Sequence, residues 1–500
     1  MRSVSIFSTR VLHPDFSFKP AVINVSGSTI LSVESGERPP VLAPNVLDLG
    51  DRPVTPAFIN AHTHLPMAAM RGIEGCATAM AGDVVKDLYF EVEKRLSPED
   101  VKAFARMGCY ENLLNGTALV WEHYYHGMAL AEALLETGLA GVVCPTLQDL
   151  SGPGVPWLED AFNDTKSIAR NASMKDRGVF AALGPHATDT VSDSLWQRIV
   201  QDAKALGNLP VHFHVGQGIL EVEMVHNTNG TTPIGKLEAN GVLSSGLPLL
   251  LVHGQFATAT DVELLDREKH ILCVCPRSHM LFAFPTSARR WHSSGIRLAL
   301  GTDAAASNDD MNVQTELRML AGLPSFEATS SEQAERLWRA RSADKEEVLR
   351  AAQALHNQRQ AVHQSKCAEE LRDDKRVLQS VWNNPGTLHP QFRAGVLEAG
   401  ALANIVIWDD EHPSLWPASD MLHALVMNDA TPAIDGLLVC GRWIGRTPEA
   451  SGADGMWQSS IRKSTAYKAA LADASSRYQA LLKHLGSIQT QGVKRKLDDV

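Results

Sequence analysis

The chain has 500 residues, of which 44% are apolar and 21% charged, and it carries a formal net charge of −11. This composition is ordinary for a globular protein with one large or several smaller domains. The negative charge argues against a nucleic-acid-binding surface, so we expect no nucleic-acid partner. The N-terminus lacks an apolar signal-peptide core, and the sequence holds no run of about 18 apolar residues, so we expect neither secretion nor a membrane span.

The cysteines do not suggest a disulfide framework. Seven cysteines without regular spacing in a long chain are typical of a reducing compartment, and we expect a cytoplasmic protein. Cys273 and Cys275 lie in the alternating stretch "ILCVCP" and are interpreted as buried structural thiols. The other five are Cys76, Cys109, Cys144, Cys367 and Cys440.

In chain order, strand-like segments such as "AVINV" and "TILSV" fill residues 1–55, and a second β-like block lies in residues 390–447. Residues 56–389 hold eight apolar, strand-like runs that alternate with amphipathic stretches. Eight such units predict an α/β fold, a (β/α)8 barrel. Residues 328–378 form a long, charged, helical insertion, either a solvated excursion or an oligomer contact. A helical tail, 448–500, ends in the basic cluster "GVKRKLDDV", a plain chain end or a nuclear-localisation signal. We expect a homodimer.

The stretch "VTPAFINAHTHLPM" places two histidines directly after an apolar, strand-like run. On a strand, residues i and i+2 share a face, so His62 and His64 would point together beyond the strand's end. A chance pair of solvated histidines is the alternative. Two neutral imidazoles on one face would supply half of a zinc-type site.

Polar side chains recur at the ends of the other predicted strands. Catalytic groups of (β/α)8 barrels lie at the carboxyl ends of the strands, and independent core histidines would have no reason to choose that position repeatedly. The sequence therefore predicts a functional site there. The polar residues at or just after strands two to eight are His123, His126, Thr146, His186, His212, His214, His253, Arg277, Ser278 and Asp303.

Several of these stretches together resemble the amidohydrolase superfamily, within it the chlorohydrolase and aminohydrolase branch, which includes deaminases of S-adenosylhomocysteine, guanine and triazines. The matching segments cover nearly the whole chain except the insertion. They are "TPAFINAHTHLPMAAMRG", "GPHATDTVSD", "HFHVGQ", "LLVHGQFAT", "CPRSHMLFAFP", "LALGTDAAASNDDMNVQTELRML" and "FRAGVLEAGALANIVIWDDEHPSLWP".

The resemblance implies a barrel flanked by a small β-sandwich built from both chain ends, and one divalent metal ion per chain. We expect zinc, with iron as the alternative. The barrel's fourth strand does not end in the lysine that binuclear members carry, which favours a single ion. The metal would activate a water molecule, and Asp303 would take its proton. The matching metal ligands are His62, His64, His214, His253 and Asp303.

The resemblance also implies a small-molecule substrate and residues that bind it. His186 matches a family residue that contacts substrate, with a strand-end histidine bonded to its loop as the alternative. His212 is interpreted as pocket wall or as support for a metal ligand. His123, His126 and Arg71 are further candidates, although a pocket lining without chemistry is the alternative for the two histidines.

One position departs from the deaminase pattern. Where those deaminases carry a glutamate three residues after the fifth-strand histidine, this chain has Gln217. An amide cannot shuttle a proton at neutral pH, so Gln217 could only orient the substrate, and Glu221 or Glu223 could replace the missing acid.

Four functional interpretations therefore stay open. The first is hydrolysis of a C–N bond in an amide, lactam or amidine-like carbon of a small nitrogen heterocycle, and this is the interpretation that we favour. A non-hydrolytic enzyme on the same site, such as a cyclase, lyase, decarboxylase or hydratase, is the second. An aromatic deaminase with a substitute proton shuttle is the third. The fourth is a non-catalytic protein that keeps the metal for stability.

Overall fold

The computed structural model describes residues 3–37, 46–72, 83–282, 288–329, 332–339, 345–364, 366–448 and 457–498. Cys76 lies outside these residues, and so does the side chain of Cys367. Cys273 and Cys275 are buried, as the sequence predicts. Within the described ranges, the helices are all too short or too polar to cross a membrane.

Both chain ends contribute to one eight-stranded sheet. Its strands are β1 Ser3–Leu12, β2 Phe18–Ser26, β3 Thr29–Ser35, β4 Val46–Asp48, β5 Val54–Pro56, β15 Ile405–Trp408, β16 Ile434–Val439 and β17 Arg442–Ile444. Their order in the sheet is β17-β16-β15-β5-β1-β2-β3, with β4 paired to β1. Because alternate residues of β2 are buried, Ala21, Ile23 and Val25 pack on one face of the sheet together with Ile405 and Leu438 from the other chain end.

The remaining strands form a parallel barrel. Their sequences are nearly continuous apolar runs, because both faces of a parallel sheet are buried. Bridges between Leu183 and Val211 and between Thr63 and Asp303 join the two halves of the barrel. These strands are β6 Phe58–Thr63, β7 Thr117–Tyr124, β8 Ala140–Leu147, β9 Val179–Ala181, β10 Gly184–Pro185, β11 Val211–Val215, β12 Leu249–His253, β13 His270–Val274 and β14 Arg297–Leu300. β9 and β10 are two pieces of the fourth barrel strand.

Helices connect the barrel strands, and several of them begin at a side-chain cap. Ser97, for example, accepts from the backbone N–H of Asp100, whose carboxylate accepts in return from the N–H of Ser97, forming a capping box. The connecting helices are Phe90–Glu93, Pro98–Leu114, Gly127–Thr137, Leu158–Arg170, Ala172–Lys175, Asp193–Ala205, Ile219–Asn229, Pro233–Ala239, Ala259–Glu263, Pro276–Leu281, Ala288–Ser294, Ala305–Asn308 and Val313–Thr329. The structure has the fold class predicted from the sequence, a (β/α)8 barrel with a small β-domain from both chain ends.

The predicted insertion is helical. Its long helix, Lys345–His363, packs against Val313–Thr329 and Glu332–Arg339. The helices that follow it before β15 are Lys366–Leu371, Asp374–Gln379 and Asn383–Gly386, and the helix Met421–Met427 follows β15.

The C-terminal tail is also helical. After Trp457–Lys463, the helix Thr465–Asp498 packs against Pro98–Leu114. An ion pair of 2.9 Å between Arg477 and Asp100 joins the two helices. The domain boundaries given above stay a prediction.

Candidate metal centre and substrate cavity

Four histidines and one aspartate meet at the carboxyl end of the barrel. Oδ1 of Asp303 lies 3.4 Å from Nε2 of His62 and 3.4 Å from Nε2 of His64. Nε2 of His64 in turn lies 3.4 Å from Nε2 of His214. Ring nitrogens of His62, His214 and His253 all lie within 4.8 Å of one another. The strand ends therefore bring together five donors that could hold one metal ion.

The local sequence explains why these side chains converge. His62 belongs to the last two residues of β6, and His64 follows that strand. His214 lies within β11, and His253 ends β12. Asp303 and His253 have positive φ angles, +59° and +76°. Such left-handed backbone is costly for residues other than glycine and clusters at functional sites.

The other ring nitrogen of each histidine has a fixed partner. Nδ1 of His64 faces the carbonyl oxygen of His123, and Nδ1 of His214 lies 2.7 Å from that of His186. Since a carbonyl only accepts, these Nδ1 atoms carry the hydrogen and leave Nε2 with its lone pair towards the centre. Among the described residues, Nε2 of His253 is buried and has no hydrogen-bond partner.

Three of the four rings have the protonation state that a metal needs. Burial lowers the pKa of His62 and of His214 well below 6.5, and that of His253 to about 3, so these rings are neutral at pH 7. Burial also acts to lower the pKa of His64, but the neighbouring carboxylate of Asp303 outweighs it and raises that pKa. Burial alone would raise the pKa of Asp303, but hydrogen bonds to His62 and His64 hold it well below its ordinary value. Neutral imidazoles and a carboxylate are the ligand forms that bind zinc.

Two hydroxyls hold the other oxygen of Asp303. The hydroxyl of Ser278 donates to Oδ2 over 2.8 Å, and that of Ser307 donates over 3.2 Å. The backbone N–H of Asp303 donates to the carbonyl of His62 over 3.0 Å. Oδ2 is therefore fixed while Oδ1 faces the histidines.

A cavity of about 230 Å³ opens above this centre. Its floor includes His64, His186, His214 and Asp303. One part of its wall is apolar and another carries charged side chains, so it suits a small molecule with both kinds of surface. The apolar part includes Met67, Val84, Phe90, Ile219, Leu220 and Phe282, and the charged part Asp83, Lys86, Glu93, Asp189 and Glu221.

The substrate-binding candidates fall into three groups. His186 lines the cavity. His123 and His212 are buried next to the metal-ligand candidates. The ring centroid of His123 lies 5.0 Å from that of His214, and the ring centroid of His212 lies 5.0 Å from that of His62. The remaining two lie elsewhere: the ring of His126 is 4.5 Å from that of Trp157, and Arg71 pairs with Glu111. The structure therefore does not bring His126 or Arg71 into the cavity.

Gln217 lines the cavity, and a carboxylate lies beside it. The backbone N–H of Gln217 donates to Oε2 of Glu221 over 3.0 Å, and the hydroxyl of Thr188 donates to Oε1. Burial, together with the nearby charge of Asp189, raises the pKa of Glu221 to about 7. Glu223 is exposed. Of the two glutamates that the sequence offered, Glu221 is the one in the cavity.

Three residues near the site are not among those that the sequence predicts: His279, Glu93 and Lys86. His279 lies on a helix that follows β13, and the other two lie in the segment between β6 and Pro98–Leu114. The histidine of "CPRSHM" was visible next to a strand end, but the two charged residues gave no signal because they follow no predicted strand.

The amidohydrolase family model matches residues 54–338. The chain belongs to the amidohydrolase family. Membership confirms the family resemblance and the prediction of a hydrolase that acts on carbon–nitrogen bonds.

This amidohydrolase is similar to curated and solved proteins over most of its length. It is 26% identical to a 5-methylthioadenosine/S-adenosylhomocysteine deaminase of Thermococcus kodakarensis, over 84% of this chain and 89% of that protein. An adenosine deaminase of Xanthomonas campestris with bound zinc matches with a TM-score of 0.74 and 20% identity, over 96% and 98% of the two chains. A zinc complex of atrazine chlorohydrolase from Arthrobacter aurescens gives a TM-score of 0.68 and 18% identity, over 96% and 99%.

Proposed function

We propose that this amidohydrolase holds one divalent metal ion through His62, His64, His214, His253 and Asp303 and hydrolyses a C–N bond of a small nitrogen heterocycle. The observation that carries the proposal is the convergence of these donors, with ligand atoms within 4.8 Å of one another in each group of three. The buried Nε2 of His253 fits a metal, since a buried ring nitrogen otherwise needs a hydrogen-bond partner. Nitrogen ligands with one carboxylate favour zinc, with iron as the alternative.

When bound, the ion would supply a Lewis acid that brings the pKa of a water molecule towards neutrality. Side chains of the protein would transfer the proton and orient the reacting groups. Asp303 takes a proton on Oδ1, the oxygen that faces His62 and His64, and passes it to the leaving nitrogen. Ser278 and Ser307 keep the carboxylate in that orientation by donating to Oδ2.

The cavity suits a small substrate with both apolar and hydrogen-bonding parts, because its wall has apolar and charged side chains. Nucleosides and triazines are reasonable first compounds, since the similar proteins include a 5-methylthioadenosine/S-adenosylhomocysteine deaminase and an atrazine chlorohydrolase. Gln217 favours amides and lactams over aromatic amines, because an amide side chain cannot protonate a ring nitrogen. His186, at the floor of the cavity, is the proposed contact for the substrate.

A substrate panel tests this proposal. The zinc-loaded protein is incubated with lactams and amides of nitrogen heterocycles and with 5-methylthioadenosine, S-adenosylhomocysteine, guanine and aminotriazines, and products are followed by chromatography and ammonia detection. We expect turnover of at least one compound with a scissile C–N bond, and its loss on chelation. A zinc-loaded protein that cleaves none of these bonds would contradict the proposal.

A specific observation favours a second candidate, an aromatic deaminase in which Glu221 replaces the missing acid. Glu221 lines the cavity, and its pKa of about 7 suits a group that both gives and takes a proton at neutral pH. Rapid ammonia release from an aromatic amine, lost in Glu221→Gln and kept in the exposed Glu223→Gln, would support this candidate over the first.

We also propose a cytoplasmic homodimer. Support for the dimer comes from the helical insertion, where the side chain of Trp338 is 83% exposed and that of Leu349 57% exposed. Sedimentation equilibrium of the full chain, with Trp338→Lys as the variant expected to weaken association, tests it.

A further inference from the structure

Two of the four histidines at the metal centre use another imidazole as the partner of Nδ1. Nδ1 of His62 lies 2.9 Å from Nε2 of His212, and Nδ1 of His253 lies 3.0 Å from Nε2 of His279. His64 and His214 face backbone carbonyls instead. A carbonyl oxygen can always accept a hydrogen bond. A given imidazole nitrogen can accept only in the tautomer that carries the hydrogen on the other nitrogen. The partners of His62 and His253 must therefore be held in the correct tautomer themselves.

The first chain of contacts meets this need. Nδ1 of His212 lies 3.3 Å from Sγ of Cys144, and the thiol of Cys144 donates to the carbonyl of Val142 over 3.6 Å. His62, His212 and Cys144 are each 0% exposed, so no solvent competes. With hydrogen on Nδ1 of both histidines, every contact has one donor and one acceptor, and all donors point away from the metal centre.

The second chain runs through different elements. The amide nitrogen of Gln255 faces Nδ1 of His279. Turned by 180° about its last torsion, the same amide places its oxygen there, and that oxygen would accept the hydrogen on Nδ1 and leave Nε2 of His279 as the acceptor for His253. All three side chains are at most 4% exposed.

We propose that His212 and His279 are positioning residues that hold His62 and His253 with the hydrogen on Nδ1 and with Nε2 free for the metal. The inference rests on the proposed metal site. Each acts by accepting the Nδ1 hydrogen of its ligand, and Cys144 and Gln255 keep the acceptor in the required tautomer. Because both acceptors are neutral, they orient the ligands without adding negative charge beside Asp303, unlike the carboxylate partners that often support such ligands.

Zinc affinity measures this role without any substrate. The full-length protein is stripped with a chelator, and binding of zinc alone is measured by competition with a chromophoric chelator for the unmodified chain, His212→Gln, His212→Leu, His279→Gln and His279→Leu. Glutamine places an oxygen near the position of Nε2 and can still accept, whereas leucine fills the space without accepting. His389→Leu is the control, since His389 is buried and bonds the carbonyl of Ala181 rather than a metal-ligand candidate.

We expect each leucine variant to bind zinc about 10- to 100-fold more weakly, the glutamine variants to recover most of this loss, and His389→Leu to bind as the unmodified chain does. Thermal melting of the metal-free proteins separates lost affinity from lost folding. If a leucine variant does not fold, Cys144→Ala and Gln255→Leu, one step further along the two chains, should weaken zinc binding in the same direction.

Leucine variants that bind zinc within about threefold of the unmodified chain would overturn the inference, and so would glutamine and leucine variants that lose affinity equally. Either result would leave the metal site itself intact. An unmodified chain that binds no zinc would instead contradict the proposed function.

Discussion

Nε2 of His62, from the first barrel strand, lies 3.4 Å from Oδ1 of Asp303, which follows the last. The backbone bridge between Thr63 and Asp303 sets this distance, because it closes the barrel at the level of the two side chains. Closure of the barrel therefore brings the proposed metal ligands together.

Asp303→Asn should keep the fold and lose at least about 100-fold in turnover of any substrate found in the panel, because the amide cannot take a proton. Asparagine tolerates the left-handed backbone that Asp303 adopts, so stability should change little. Asp309→Asn is a matched control, since Asp309 also has a positive φ, +64°, but an exposed side chain. Similar melting with a rate loss under tenfold would refute the role of Asp303.

Gln217→Glu should raise ammonia release from aromatic amines such as 5-methylthioadenosine or guanine. The new carboxylate would enter the cavity beside His214 and could protonate a ring nitrogen. Release is measured with a coupled ammonia assay, with the exposed Gln197→Glu as the control. Fast deamination by the unmodified chain, on the order of 10 per second, would contradict the importance given to Gln217.

Glu221 should make the protein less stable as the pH rises through neutrality. Burial raises its folded pKa to about 7 from an ordinary 4.5, so its stabilising contribution is complete below pH 4.5 and is lost as the pH rises through 7. Relative to Glu221→Gln, the unmodified chain should therefore lose unfolding free energy between pH 5 and 7.5. Denaturant titrations across this range measure the difference, and Glu223→Gln, a substitution at an exposed position of the same helix, is the control. If the free energy of unfolding changed with pH in the same way for the unmodified chain and Glu221→Gln, the raised pKa of Glu221 would be contradicted.

Gly301→Ala should destabilise the barrel and weaken metal binding. A Cβ atom at Gly301 would lie 2.6 Å from Cβ of His62 and 2.7 Å from its backbone nitrogen and oxygen. Gly322→Ala is the contrast, because a Cβ there has no neighbour within 4 Å and alanine stabilises a helix by about 0.5–1 kcal/mol. Calorimetry and zinc binding of both variants check this. A Gly301→Ala variant that melts at the same temperature as the unmodified chain would argue against tight packing at the junction of β6 and β14.

Much of this architecture could be predicted from the sequence. Continuous apolar runs indicated the parallel strands, and the polar residues after them indicated the end of the barrel where the site lies. His62, His64, His214, His253 and Asp303 do meet there. Arg71 and His126 could not be placed, because a residue beyond a strand end can face either the cavity or a neighbouring helix. Arg71 pairs with Glu111, and the ring of His126 packs against that of Trp157 at an angle of 50°.

Other features depend on tertiary structure alone. Glu221 and Glu223 are two residues apart on one helix, and only the packing of that helix against the loop of Thr188 decides which of them is buried. His279 supports His253 across two different barrel units, a contact that no local pattern specifies.

Metal content tests the central claim most directly. The purified chain and His64→Ala are each dialysed against micromolar zinc and analysed by plasma emission spectrometry, with His389→Leu as the control for loss of a buried histidine. We expect about one zinc ion per chain in the unmodified protein and the control. We expect much less bound zinc in His64→Ala, because Nε2 of the removed His64 ring lies 3.4 Å from both His214 and Asp303. No bound metal in the unmodified chain, two ions per chain, or full occupancy in His64→Ala would contradict the account.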